Sequence, residues 1–204
     1  AQECCGLQTD AHARAKLERT HEIYNAPDSD DGNNCSANAI LDYFSNPRGG
    51  NLGTLPTAAR TTVARRLREQ LLTLPAEDPR RPESRISYMS ASFVLPFLCE
   101  HAASLASAQG FALATPDVVA LVEHSRHDAP VIPPTWTVHP TDSFAGGERR
   151  CLVQLYCSGA HYYVALPRTP QEQLKCLLHY QPVPKRFAVL SWNVNCHNRA
   201  NQSE

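Results

Sequence analysis

The segment DGNNCSANAILDYF, residues 31–44, sets a polar turn directly before an apolar helix. From Cys35 onward, apolar side chains recur at the spacing i, i+3, i+4 and i+7, which is typical of a helix with one buried face. The following SNPRGG supplies helix-breaking residues. Cys35 is therefore predicted to begin a helix, where unpaired N–H groups and the positive end of the helix dipole favour a thiolate.

The turn before Cys35 has the composition of a nucleophile loop. Asp31, Gly32, Asn33 and Asn34 form a polar run that can bend tightly and offer backbone N–H groups, together with an Asn amide, to a developing oxyanion. The alternative is that Cys35 is only a packed residue at a helix start, but a run this polar is poorly suited to burial. We therefore predict that Cys35 is a nucleophile.

Length and composition favour one soluble domain. The chain has 204 residues, of which 42% are hydrophobic and 19% charged, so we expect a single domain over residues 1–204 with its motifs in about 30–195. A formal charge of -1 gives no net positive field for nucleic acid. No run of about 18 apolar residues and no signal-peptide pattern is found. We expect an intracellular monomer, a domain of a larger protein, or an effector acting in a host cytosol.

Helical patterns dominate the first two thirds of the chain. Besides residues 35–44, helices are predicted near 11–22, over 57–74, over 86–108 with a kink or break at Pro96, and from Thr115 through DVVALVEHS. The arginines of the second of these helices are predicted to form a solvated face: Arg60, Arg65, Arg66 and Arg68.

The last third changes to strand patterns. CLVQLYC, residues 151–157, and HYYVALP, residues 161–167, read as two strands joined by a short Gly-containing connection, which predicts a hairpin. Residues 173–180 and 186–194 are further strand candidates. The fold class predicted is α+β, with a helical N-terminal part packed on a mainly antiparallel C-terminal sheet.

A thiolate needs an imidazole within hydrogen-bonding reach, and a histidine at a strand end provides one rigidly. Of the nine histidines, His161 fits best because it opens a strand directly after a turn, and His179 is its main rival. A third group should orient the imidazole and hold its tautomer. Asn193 is the first choice, Asn195 the next, and Asp31 or Asp30 could serve from the nucleophile loop.

These motifs carry a resemblance to a known family. The string Asp31-Gly32-Asn33-Asn34-Cys35-Ser36 resembles the Asp-Gly-Asn-Cys signature of the ovarian tumour (OTU) family of cysteine deubiquitinases. Gly159-Ala160-His161-Tyr162 is similar to the His-aromatic motif of that family, and the helix predicted over TPDVVALVEH, residues 115–124, lies between the two motifs, where OTU domains carry a comparable helix. The chain departs by an additional Asn between Gly and Cys, and by Tyr163 where many members carry the residue that orients the histidine. The resemblance covers about residues 30–167 and indicates a divergent member.

The resemblance implies a papain-like, OTU-like domain that needs no cofactor and no metal. It would hydrolyse peptide or isopeptide bonds at the C-terminus of ubiquitin or a ubiquitin-like modifier. Cys35 would form the thioester, loop amides from Gly32 to Cys35 would hold the oxyanion, and His161 would protonate the leaving amine. A narrow channel for the diglycine tail could be walled by Tyr162, Tyr163 and Trp192, although ordinary packing of a sheet face explains these residues equally well.

Two other classes remain open from the sequence. A papain-type effector or toxin, whether protease, transferase or deamidase, would use the same Cys35 and His161 on a different acyl donor. A non-enzymatic Cys-rich binding module would be held by disulfides or zinc, with Cys4, Cys5, Cys196 and His197 as candidate ligands. The chain has eight cysteines but no CxxC pair, so the zinc signal is poor. We expect reduced thiols because four of the cysteines lie inside apolar segments, where a free cysteine behaves as a small hydrophobic residue: Cys99, Cys151, Cys157 and Cys176.

Overall fold

A computed structural model describes residues 14–27, 31–78, 80–85, 87–116, 118–125, 137–138, 150–158 and 161–169. After a helical turn at 14–17, the elements follow in chain order. They are β1 (His21–Tyr24), a 3-10 turn (Asp31–Asn33), α1 (Cys35–Ser45), α2 (Thr57–Leu72), α3 (Ala91–Ser107), β2 (Val118–Ser125), β3 (Thr137–Val138), β4 (Arg150–Ser158) and β5 (His161–Pro167).

The predicted α+β class is confirmed. The five strands form one sheet in the order β1-β5-β4-β2-β3, in which β2 and β4 are parallel and the other pairings are antiparallel. The predicted hairpin is present as β4 and β5, with Ser158 opposite His161. The helices predicted to begin at Cys35 and Thr57 are also present.

The core lies between α1 and one face of the sheet. Helix α1 packs on β4 and β5, and α2 and α3 pack against it. Alternate residues of the two strands face the helix, and four of them are fully buried: Val153, Leu155, Val164 and Leu166. From α1, Ile40, Leu41 and Tyr43 are also fully buried, and burying an aliphatic side chain such as Ile40 or Leu41 contributes roughly 1.5–3 kcal/mol.

Two predictions of local structure are wrong. The segment after Thr115 is strand β2, because its valine-rich run is buried on both faces, with Leu121 and Val122 each nearly inaccessible between neighbouring strands. Residues 21 and 22, which the sequence placed at the end of a helix, belong to strand β1, which pairs with the other side of β5. The sheet is therefore not only C-terminal.

Other boundaries differ less. The helix predicted from residue 86 begins at Ala91, and it continues through Pro96 without ending there. The strand candidates at 173–180 and 186–194 lie outside the described residues. Within the part of the chain that the structure describes, no helix combines the length and apolar character needed to cross a membrane.

Candidate active site

The turn before Cys35 has an unusual backbone. Gly32 (φ 59°, ψ 31°) and Asn33 (φ 58°) are consecutive residues in the left-handed region. Gly adopts this conformation readily, and Asn tolerates it better than most residues. The additional Asn of this chain therefore fits a left-handed turn that ends at Asn34. Helix α1 then begins at Cys35, whose side chain is 5% exposed; the side chain of Asp31 lies outside the described part.

Arg68 of α2 holds this turn from beneath. Its Nε donates to Asn34 Oδ1 (2.7 Å), its Nη2 to the Asn33 carbonyl (2.7 Å), and its Nη1 to the Ser87 carbonyl (2.8 Å). Burial lowers the pKa of Arg68 from its usual value, and the negative charge of a Cys35 thiolate acts in the opposite direction. The guanidinium thus binds both residues that directly precede Cys35.

The prediction that all four arginines of α2 form a solvated face is wrong for two of them. Arg65 and Arg66 are exposed, but Arg60 and Arg68 are only 7% and 4% exposed. Arg60 is buried because it forms an ion pair with Asp42. Arg68 can be buried because its guanidinium N–H groups donate to oxygens of Asn33, Asn34 and Ser87.

The C-terminal end of α1 lies at the start of β4. The Gly50 backbone packs against the end of α1 and the start of β4. A side chain at this position would have its Cβ only 3.0 Å from Phe44 Cα and 3.0 Å from Cys151 Sγ. Strand β4 runs from Cys151 toward Ser158, which pairs with His161 at the start of β5. The N-terminal end of α1, and Cys35 with it, therefore points toward the end of the sheet where His161 stands.

Tyr88 links the two parts of this end. It follows Ser87, whose carbonyl is bound by Arg68, and its ring stacks on Tyr162 with centroids 5.7 Å apart. Its hydroxyl lies 3.9 Å from Cys157 Sγ, one residue before the Ser158–His161 pair. The Tyr88 ring is nevertheless 42% exposed. It bridges the nucleophile loop and the histidine strand at an accessible place, which the sequence did not indicate.

His161 is oriented by a residue that the sequence analysis missed. Its Nε2 is 2.7 Å from Asn25 Oδ1, and Asn25 directly follows β1, the antiparallel neighbour of β5. Since an amide oxygen only accepts, Nε2 donates the hydrogen, and in the neutral imidazole the lone pair is then on Nδ1. The Tyr163 ring packs edge-on against the imidazole at 4.6 Å. Nothing in the local sequence marked Asn25, because β1 itself was not predicted.

Tyr162, which the sequence predicted as a wall of the substrate channel, is buried in the core. Tyr162 is 2% exposed, donates to Glu123 Oε1 (2.9 Å) and accepts from the Ala91 N–H (3.2 Å), so it anchors the core. Burial raises the pKa of Glu123. Tyr163 is half-buried beside His161. Trp192, Asn193, Asn195 and His179 lie outside the described residues, as do the candidate zinc ligands Cys4, Cys5, Cys196 and His197.

The described cysteines are free thiols: Cys35, Cys99, Cys151 and Cys157. Burial raises the pKa of Cys99 to about 12 and also raises that of Cys151, which makes these two poor nucleophiles. Over the described ranges, no three His, Cys, Asp or Glu side chains are grouped so that they could hold a metal ion.

Comparison with known proteins gave no family model, no curated protein and no solved structure that matches this chain.

Proposed function

We propose that this chain is a cysteine hydrolase with Cys35 as nucleophile and His161 as general base, and that it acts as a deubiquitinase with an OTU-like domain. One observation carries the proposal. A cysteine at the start of a buried helix and a histidine at the start of a neighbouring strand lie toward the same end of the sheet, and an Asn oxygen fixes the histidine tautomer.

The chemistry follows from these positions. His161 Nδ1 takes the proton of the Cys35 thiol, and the thiolate attacks the carbonyl carbon of the scissile bond. Negative charge on the carbonyl oxygen is stabilised by backbone N–H groups of the turn from Gly32 to Cys35. The imidazolium then protonates the leaving amine, and a thioester remains. His161 next activates a water that hydrolyses the thioester, while Asn25 keeps the imidazole in position.

The choice of ubiquitin or a ubiquitin-like modifier as substrate rests on the sequence resemblance at residues 31–36 and 159–162. The structure offers one further support. Tyr88 and Tyr163 place aromatic rings beside the nucleophile loop and beside His161, and aromatic walls suit a tail that has no side chains to grip. The same site on another acyl donor would make a papain-type enzyme with a different substrate.

The test is reaction with ubiquitin and ubiquitin-like proteins that carry a C-terminal electrophile. We expect a covalent adduct with the native chain, none with Cys35→Ala, and a slower reaction with His161→Ala. Cys157→Ala is the matched control, because this neighbouring thiol is more accessible than Cys35 and would react first if accessibility alone decided. A folded native chain that forms no adduct with any probe would overturn the deubiquitinase proposal.

A further inference from the structure

We infer that Arg68 is a positioning residue of the Cys35 site, which fixes the turn before the nucleophile and supplies a permanent positive charge that favours the thiolate. The inference deepens the proposed function, since it rests on Cys35 as the nucleophile. Arg68 would not touch the substrate; it would act through Asn33, Asn34 and Cys35.

The first argument is the charge of a buried group. Arg68 is 4% exposed, and its three hydrogen-bond acceptors are neutral oxygens from Asn33, Asn34 and Ser87. Among the described residues no carboxylate binds it, whereas Arg60 on the same helix is paired with Asp42. Burying a cation without an anion is costly. A thiolate at Cys35 would supply the missing negative charge.

The second argument is the state of the helix start. The residue before a helix normally accepts an N–H of the first turn with its side-chain oxygen. Asn34 stands in that position but makes no such capping bond, and its Oδ1 accepts from Arg68 Nε instead. Arg68 thus keeps the Asn34 side-chain oxygen away from the first-turn N–H groups of α1, of which the Cys35 N–H belongs to the proposed oxyanion site.

The test measures how the alkylation rate of Cys35 depends on pH, with iodoacetamide as a small neutral reagent and mass spectrometry of the Cys35 peptide as readout. An opposite charge within a few ångströms typically moves a titration by about 1–3 pH units. Arg68→Gln is therefore expected to raise the midpoint by about one unit or more. Arg66→Gln removes an exposed charge from the same helix and is expected to leave the midpoint unchanged.

Other ionisable groups at this end must be separated from Arg68. His161 comes from β5, Cys157 from β4, Glu123 from β2, and Tyr88 from the segment before α3. An imidazole can change its charge in the pH range of the assay, whereas a guanidinium does not lose its proton there. Arg68→Gln is therefore also measured in a His161→Ala background, where the upward shift is expected to persist.

Two further variants separate charge from packing. Arg68→Lys keeps the charge and is expected to shift the midpoint less than half as far as Arg68→Gln; an equal shift would overturn the role of the charge. Asn34→Asp keeps the shape and the bond to Nε but adds a carboxylate that neutralises the guanidinium and also repels a Cys35 thiolate directly, so the midpoint should rise. If Arg68→Gln does not fold, an unchanged midpoint in Asn34→Asp overturns the inference.

Failure of this inference can be told from failure of the proposed function, because iodoacetamide needs no ubiquitin. A shifted midpoint without any ubiquitin adduct would leave the role of Arg68 standing and reject the deubiquitinase. If folded Arg68→Gln keeps the native midpoint and the native chain forms a ubiquitin adduct, the role of Arg68 is rejected and the deubiquitinase proposal stands.

Discussion

Replacing Asn25 by Ala removes the acceptor of the 2.7 Å hydrogen bond from His161 Nε2. If Cys35 and His161 act as proposed, the donor of this bond becomes an imidazolium when His161 takes the thiol proton. A hydrogen bond to a charged group contributes about 1.5–3 kcal/mol. Since 1.36 kcal/mol is a tenfold rate change, kcat/KM should fall roughly 10- to 150-fold. Asn25 is exposed, so the free energy of unfolding should change by about 0.5 kcal/mol or less.

The assay is hydrolysis of a fluorogenic ubiquitin C-terminal amide, together with urea unfolding of each variant. Asn25→Asp keeps an acceptor oxygen and should retain most of the activity. Glu22→Gln, which removes an exposed charge of β1 paired with Arg48, should change neither quantity. If folded Asn25→Ala hydrolyses the substrate within threefold of the native rate, Asn25 does not orient the base and the reasoning from this bond is wrong.

Three further predictions concern the ion pair between α1 and α2, the buried Glu123 and the exposed Tyr88. Asp42→Ala leaves Arg60 buried without its partner at 2.5 Å, so urea unfolding should show a loss of about 3–5 kcal/mol. Burial raises the pKa of Glu123 above 4.5, so its carboxyl reduces stability as pH rises from 4.5 through the folded-state pKa; Glu123→Gln should flatten that part of the stability curve. Tyr88→Ala should raise KM about tenfold by removing an aromatic wall, whereas Phe93→Ala, which removes the other large exposed aromatic side chain of the described residues, should not.

Each of these has a contrary outcome. A loss below about 1 kcal/mol in Asp42→Ala would mean that water reaches the ion pair. A stability curve unaltered by Glu123→Gln would show that this carboxyl has the same proton affinity in the folded and unfolded chain. Equal KM changes in Tyr88→Ala and Phe93→Ala would mean that Tyr88 does not contact the substrate.

The sequence by itself determined the elements whose signal is local. The 3.6-residue period after Cys35 predicted α1 and its first residue, and two alternating runs around a short turn predicted the β4–β5 hairpin that begins β5 at His161. Both candidate catalytic residues were found this way, because each stands at an element boundary that turn chemistry and periodicity mark within about ten residues.

Only the tertiary structure decided which residues support Cys35 and His161. Asn25 and His161 are 136 positions apart, and the pairing of β1 with β5 brings them together. The same holds for Arg68, which lies 34 positions from Asn34: its helical spacing placed it on a solvated face, but a polar side chain can be buried wherever distant oxygens satisfy it. The valine-rich segment of β2 likewise became a strand because neighbours cover both of its faces. A local pattern records which side chains are polar or apolar, whereas the partner that allows a polar group to be buried is set by the fold.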